Sequence, residues 1–339
     1  MCVAMITFGS QGDVRPLVAL GQGLVRAGHQ AVLLADAEFA VLSAEVGMEF
    51  VPLAGGSVRD PAKHSEFDAL FKRGLDPRVV MRVIFEHVGR NTEAWGRQFR
   101  NAASGADLVV AAGPAFYIGL AVAEALGLPT IAVALQPVSP TRDFRPVMIP
   151  SARLPRASYR ALHRLVLEAA WFLLARPVRR LQRSVLGVPA WRWYGPRRLL
   201  LRRRMPMLTA VSPTLVPRPR DWLYFEYMTG FWYLDAAEAY RPAAALVGFL
   251  EAGPPPVYVG FGSMAGFDPT ATMRVIVDAL SGRRAVVAAG WGGLASAALP
   301  DTVCSIEAAP HDWLLPRMSL ATRGDAIGRK LDSRLGDRT

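Results

Sequence analysis

Short apolar blocks alternate along most of the chain with longer stretches of helical period. Cys2-Val3-Ala4-Met5-Ile6-Thr7 is short, apolar and partly β-branched, which predicts a buried parallel strand. Leu17, Leu20, Leu24 and Val25 share one face of a helix that stops at Gly28-His29. The same reasoning predicts strands at 31–35, 49–53, 107–111, 130–134, 207–211 and 224–229, and helices at 38–46, 77–103, 115–126 and 157–186. Such alternation describes a parallel sheet with helices on both faces. Two stretches break it: residues 54–76, rich in glycine and charge, and residues 137–155, which hold five prolines. Both read as loops. After Gly253-Pro254-Pro255-Pro256 the alternation restarts, with strands at 257–261, 284–289 and 302–306 and a helix at 269–281. Three prolines ahead of a strand make a stiff joint. The expected layout is a first α/β domain over 1–234, a linker over 235–256, a partial second domain over 257–319 and a charged tail over 320–339.

At 339 residues, 52% apolar and 20% charged, two globular domains are the natural reading. Only Cys2 and Cys304 are present, so no disulfide framework is expected and a reducing cytoplasmic setting is the default. No basic region precedes the first strand, and no signal peptide is expected. The apolar stretch 108–138 is interrupted by Gly113, Pro114, Glu124 and Pro129, the texture of buried elements rather than of a membrane span. The formal charge of +11 comes largely from arginines between 142 and 204, near Trp171, Phe172, Trp191, Trp193 and Tyr194. A solvated arginine-rich face is one reading. Peripheral contact with anionic lipid headgroups is the other. No nucleic-acid motif accompanies the charge, and no nucleic-acid partner is expected.

Candidate chemistry lies in the first turn, Phe8-Gly9-Ser10-Gln11-Gly12-Asp13. Strand, glycine-containing turn and helix open a doubly wound domain, where ligands bind beyond the carboxyl ends of the strands. Glycines at 9 and 12 permit close approach of backbone and ligand. Their spacing is not G-x-G-x-x-G and gives little support to a nicotinamide cofactor. Asp13 reads either as the helix N-cap, worth ~1 kcal/mol, or as a general base facing a substrate.

These residues add up to a resemblance. Thr7 through Leu17, Pro140-Thr141-Arg142-Asp143-Phe144, Ser212-Pro213, Thr229-Gly230-Phe231-Trp232, Pro254 through Met264, Gly290-Trp291 and Pro310-His311-Asp312-Trp313-Leu314 follow one another as in the nucleotide-sugar-dependent glycosyltransferases of the GT-B fold. Within them the chain resembles the bacterial branch of sterol glucosyltransferase-like and glycopeptide-antibiotic glycosyltransferases. The resemblance implies two Rossmann-like domains, an acceptor in the first, a UDP- or dTDP-sugar in the second, and Asp13 as base. It also implies Ser10, Gln11, Gly12 and Gln136 at the acceptor cleft, and Gly262, Ser263, Trp291, His311 and Trp313 toward the donor. No metal or cofactor is implied beyond the nucleotide-sugar co-substrate, because helix N-termini compensate the leaving diphosphate. Read without the family, Gly262-Ser263 is an ordinary turn, Trp291 a cover for the sheet and His311 a structural histidine.

The resemblance fades after Ser319. The family continues into an apolar strand and a His-His-Gly-Gly-Ala-Gly-Thr-like loop that opens a helix onto the donor phosphates. Here Leu320-Ala321-Thr322 leads into a charged, glycine-dotted run to Thr339, which reads as aberrant sequence. The stretch from Pro256 to Ser319 is less than half of a domain of roughly 150 residues. The second domain is therefore expected to be incomplete, with donor binding and activity impaired. The alternative expectation is a non-catalytic remnant that binds an acceptor or a partner protein.

Overall fold

The computed structural model describes residues 1–55, 77–149, 154–193, 195–234, 240–260, 269–288, 299–307 and 309–323. The chain divides into two compact units, one within residues 1–234 and one that includes 235–339.

The first unit is built on seven strands: β1 (Cys2–Ile6), β2 (Gln30–Ala35), β3 (Glu49–Pro52), β4 (Leu108–Ala112), β5 (Thr130–Ala134), β6 (Met207–Thr209) and β7 (Glu226–Met228), ordered β3-β2-β1-β4-β5-β6-β7. Every neighbouring pair is parallel. The order reverses direction between β1 and β4, so the crevice of a doubly wound sheet opens at the end of β1. Alternation along β1 divides the core. Ala4 and Ile6 pack with Trp95, Phe99, Leu174 and Leu181 on one face. Val3 and Met5 pack with Leu17, Val18 and Leu33 on the other.

Helices α1 (Gln11–Arg26), α2 (Ala40–Glu45), α3 (Pro77–Ala102), α4 (Phe116–Leu126), α5 (Tyr159–Ser184) and α6 (Arg197–Arg202) complete this unit. Helices α3 and α5 approach closely because α3 carries glycines at the crossing. A Cβ on Gly96 would stand 2.2 Å from Leu181 Cδ1, and one on Gly89 would touch Pro177. Helix α1 begins at Gln11, six residues before the apolar period read from sequence. Its first turn is polar, and a polar turn leaves no periodic mark. Helix α6 has no counterpart in the sequence reading, where its arginines counted only as charge.

The second unit holds β8 (Val257–Gly260), β9 (Ala285–Ala288), β10 (Val303–Ile306) and β11 (Leu320–Arg323), with α7 (Ala244–Glu251), α8 (Pro269–Leu280) and α9 (His311–Leu314). Its sheet is parallel, ordered β10-β9-β8-β11. Residues 235–256, read as a linker, thus contain a helix whose Leu246 is buried with Tyr258, Val286 and Leu314. Arg284 fastens that helix to the proline run. It donates through Nη1 to Pro254 O at 2.5 Å and through Nη2 to Phe249 O, with its guanidinium 4.4 Å from the Phe249 ring centroid. The segment read as a charged tail from Leu320 begins with a strand, β11, paired along β8. Only four residues take part, too few for a periodic signal against the charged run that follows.

Candidate active site

The turn after β1 is held from three sides. Ser10 is the N-cap of α1 and Asp13 its third helical residue. Asp13 is therefore not the cap; it is the reciprocal half of a capping box. Ser10 N donates to Asp13 Oδ2 at 2.8 Å and Ser10 Oγ donates to the same oxygen at 3.0 Å. Asp13 Oδ1 accepts no hydrogen bond from the described residues. Among the described residues the carboxylate is thus fixed by one oxygen, Oδ2, at the carboxyl end of the sheet. Burial pushes the Asp13 pKa above its ordinary value of 3.8, opposed by the backbone and side-chain bonds from Ser10.

Gly9 makes this geometry possible. Its φ is +137°, and a Cβ there would stand 2.4 Å from Asp13 Oδ2. Gly9 N donates to Oδ2 of the buried Asp36 at 3.2 Å, so a second aspartate, just past β2, anchors the turn from the neighbouring strand. The floor is aromatic. Phe8 stacks on His87 with ring centroids 5.1 Å apart and packs against Trp95 at 5.0 Å. Trp95 Nε1 donates to Ala54 O at 2.8 Å, while Gln98 accepts from Ala54 N and donates to Pro52 O, both at 2.9 Å.

Of the residues expected at the acceptor side, Ser10, Gln11, Gly12 and Asp13 come together at the start of α1, with Gln11 and Gly12 exposed. Gln136 is half-buried two residues past β5. That is the same sheet edge, two strand spacings or roughly 10 Å away. Asp36 and the Phe8–His87–Trp95 stack were not foreseen. Asp36 had a signal, a carboxylate directly after the strand Ala31–Ala35. The stack joins residues far apart in the chain and had none.

The Pro140–Phe144 stretch is clasped to the loop before β7. Thr141 Oγ1 donates to Asp221 Oδ1 at 2.7 Å, Arg142 N donates to Asp221 Oδ2 at 3.1 Å, and Arg220 N donates to Asp143 Oδ2 at 3.2 Å. Thr141 is fully buried. Asp221→Ala leaves its hydroxyl without an acceptor and should cost about 1–3 kcal/mol in chemical denaturation; an unchanged midpoint would show that the clasp holds nothing.

On the donor side, Gly262, Ser263 and Trp291 lie outside the described residues. His311 and Trp313 sit on α9 and have partners within the second unit. His311 Nε2 is 3.2 Å from Tyr258 Oη. Trp313 packs edge-on against Tyr240 at 5.1 Å, with Arg317 4.3 Å over its ring. In the arginine-rich region, Trp171 and Trp191 are only 3% and 9% exposed. They belong to the core and not to the aromatic surface expected there. Tyr194 lies outside the described residues.

Residues 3–144 match the family model "Glycosyltransferase family 28 N-terminal domain". The glycotransferase of kitacinnamycin superposes with a TM-score of 0.60 at 19% identity, over 96% of this chain and 76% of the other. The fold is GT-B. A second GT-B neighbour, UGT89C1 of Arabidopsis thaliana complexed with UDP, gives a TM-score of 0.57 at 14% identity, over 95% of this chain and 75% of that one. Among curated relatives, the sterol 3-beta-glucosyltransferases UGT80B1 and UGT80A2 of Arabidopsis thaliana are 30% and 32% identical over 96% and 97% of this chain. The chain spans about half their length, 54% and 52%. In GT-B terms the capping-box turn belongs to the first Rossmann-like domain and α9 to the second.

Proposed function

We propose that this chain carries the acceptor half, and part of the donor half, of a hexosyltransferase. The enzyme would move a hexose from a UDP- or dTDP-sugar to a hydroxyl of a sterol-like, lipid or antibiotic-like acceptor. One observation carries the reading: a carboxylate at the crevice of the first sheet, fixed through Oδ2, whose Oδ1 accepts no bond among the described residues. The sterol 3-beta-glucosyltransferases among its relatives and the neighbour solved with UDP support the choice of substrates. A neighbour solved with dTDP supports the wider donor range.

The acceptor oxygen attacks the anomeric carbon as the bond from that carbon to the diphosphate breaks. The bonding pair leaves on the diphosphate oxygen, and the acceptor proton passes to Asp13. An alcohol is a weak acid, so the transfer occurs late, once the oxygen has begun to bond to carbon. A base so placed contributes about 10²–10⁴-fold. Asp36 and Ser10 hold the turn and the carboxylate in place. Toward the donor, the reading puts Gly262 and Ser263 at the diphosphate, and Trp291, His311 and Trp313 near the nucleotide. It sets the protein in the cytoplasm, with the arginine-rich region in peripheral contact with anionic membranes.

The test is transfer of radiolabelled glucose from UDP- and dTDP-glucose to a sterol, using this chain and the same chain continued into a complete second domain. Transfer by the continued chain supports the reading. Acceptor binding without transfer by either would assign the protein to the non-catalytic alternative.

A further inference from the structure

Burial of Trp171 and Trp191 reduces the aromatic surface expected beside the arginines to Phe172 and Trp193, 80% and 77% exposed, of which Phe172 stands on α5. That helix buries Trp171, Leu174, Val178 and Leu181. It turns outward Leu165, Phe172 and Leu173, which are 63%, 80% and 49% exposed. One turn further on, Arg176 and Arg180 meet Arg90 and Arg97 of α3 in a cleft of about 600 Å³. Among the described residues Glu93 is the one carboxylate that lines it. It pairs with Arg180 at 2.8 Å and Arg97 at 3.6 Å. Four guanidiniums against one carboxylate leave the cleft strongly positive. Further along the region, Arg203 pairs with Glu124 at 3.6 Å, and Arg204 lies 5.7 Å over Tyr224.

We propose that the cleft between α3 and α5 seats the phosphate headgroup of an anionic phospholipid, with Leu165, Phe172 and Leu173 resting in the lipid interface. This deepens the membrane contact proposed above and rests on it. Guanidinium forks match phosphate oxygens in pairs. An apolar residue beside a basic cleft is the arrangement that lies at the headgroup–acyl boundary. A free anion would satisfy the arginines and leave Phe172 in water; a lipid surface satisfies both. The electrostatic part acts within ~10 Å at 0.1 M salt.

The experiment is co-sedimentation of the 339-residue protein with phosphatidylcholine vesicles, with and without about 30% phosphatidylglycerol. Each cleft arginine at the surface contributes about fivefold in partitioning. The double variant Arg176→Gln/Arg180→Gln should therefore bind anionic vesicles about 25-fold more weakly. Both side chains are exposed, so its melting curve should match the parent's. Glu93→Gln removes the opposing charge and should strengthen binding about fivefold. Arg202→Gln/Arg203→Gln, outside the cleft, should stay near the parent. Loss in that variant with none in the cleft variant would overturn the headgroup seat and leave membrane contact standing. Equal partitioning of the parent onto neutral and anionic vesicles would overturn the electrostatic contact itself. Saturation of the cleft by millimolar inorganic phosphate, read by titration calorimetry, without vesicle binding would identify a free anion and overturn the lipid assignment.

Discussion

Asp13→Asn is expected to lower sugar transfer by about 10²–10⁴-fold while leaving the melting temperature at pH 7 unchanged or raised. The two halves of this expectation come from the two oxygens. The asparagine amide oxygen can still accept from Ser10 N and Oγ, which now reach Asp13 Oδ2 at 2.8 and 3.0 Å, so the start of α1 survives. The proton acceptor does not. The stability half follows from linkage. Burial raises the folded pKa of Asp13 above 3.8, so the fold prefers the protonated form. That preference is fully present below the unfolded pKa and is lost as pH rises through the folded one. At neutral pH the ionised carboxylate is a burden that asparagine removes. Turnover equal to the parent's would reduce Asp13 to a capping-box residue. Loss of the fold together with activity would make its role structural.

Gly9→Ala should damage the same site from the backbone side and cost about 3 kcal/mol of stability. At φ +137° an L-residue is strained. The new Cβ would also stand 2.4 Å from Oδ2 and 2.8 Å from Cγ of Asp13. Either the carboxylate swings away from Ser10, or the turn flips and breaks the bond from Gly9 N to Asp36. Transfer should fall with stability. Gly28→Ala is the control: its φ is +80°, and nothing stands within 4 Å of a Cβ there. It should cost only ~1–2 kcal/mol for the left-handed backbone and spare the activity. Denaturant melts of the two variants check this, and equal costs would show that the Asp13 contact is immaterial.

The first domain was legible wherever burial imposes a period. Strands β1, β2, β4 and β5 are buried on both faces and read as continuous apolar blocks. The polar first turn of α1 carries no such mark, and for that reason Asp13 could be read as a cap where Ser10 holds that position. Helix α7 escaped because its eight residues lie between an acidic run and a proline run that together look like a linker. Of the site, Ser10 to Asp13 were legible because they are contiguous. Asp36 approaches Gly9 from 27 residues away, and His87 and Trp95 reach Phe8 from α3. Such contacts exist only once the sheet has ordered its strands. Trp171 and Trp191 were misplaced because a tryptophan beside arginines looks the same in sequence whether it faces solvent or core.

The central claim, that Asp13 is the base of a sugar transfer, is tested most directly by the pH dependence of kcat/KM. The measurement is transfer of glucose to a sterol by the chain continued into a complete second domain. The account predicts an acid limb in which activity rises as a single carboxylate loses its proton, with a midpoint above the ordinary aspartate value, absent from the residual activity of Asp13→Asn. A limb that persists unchanged in Asp13→Asn would contradict it.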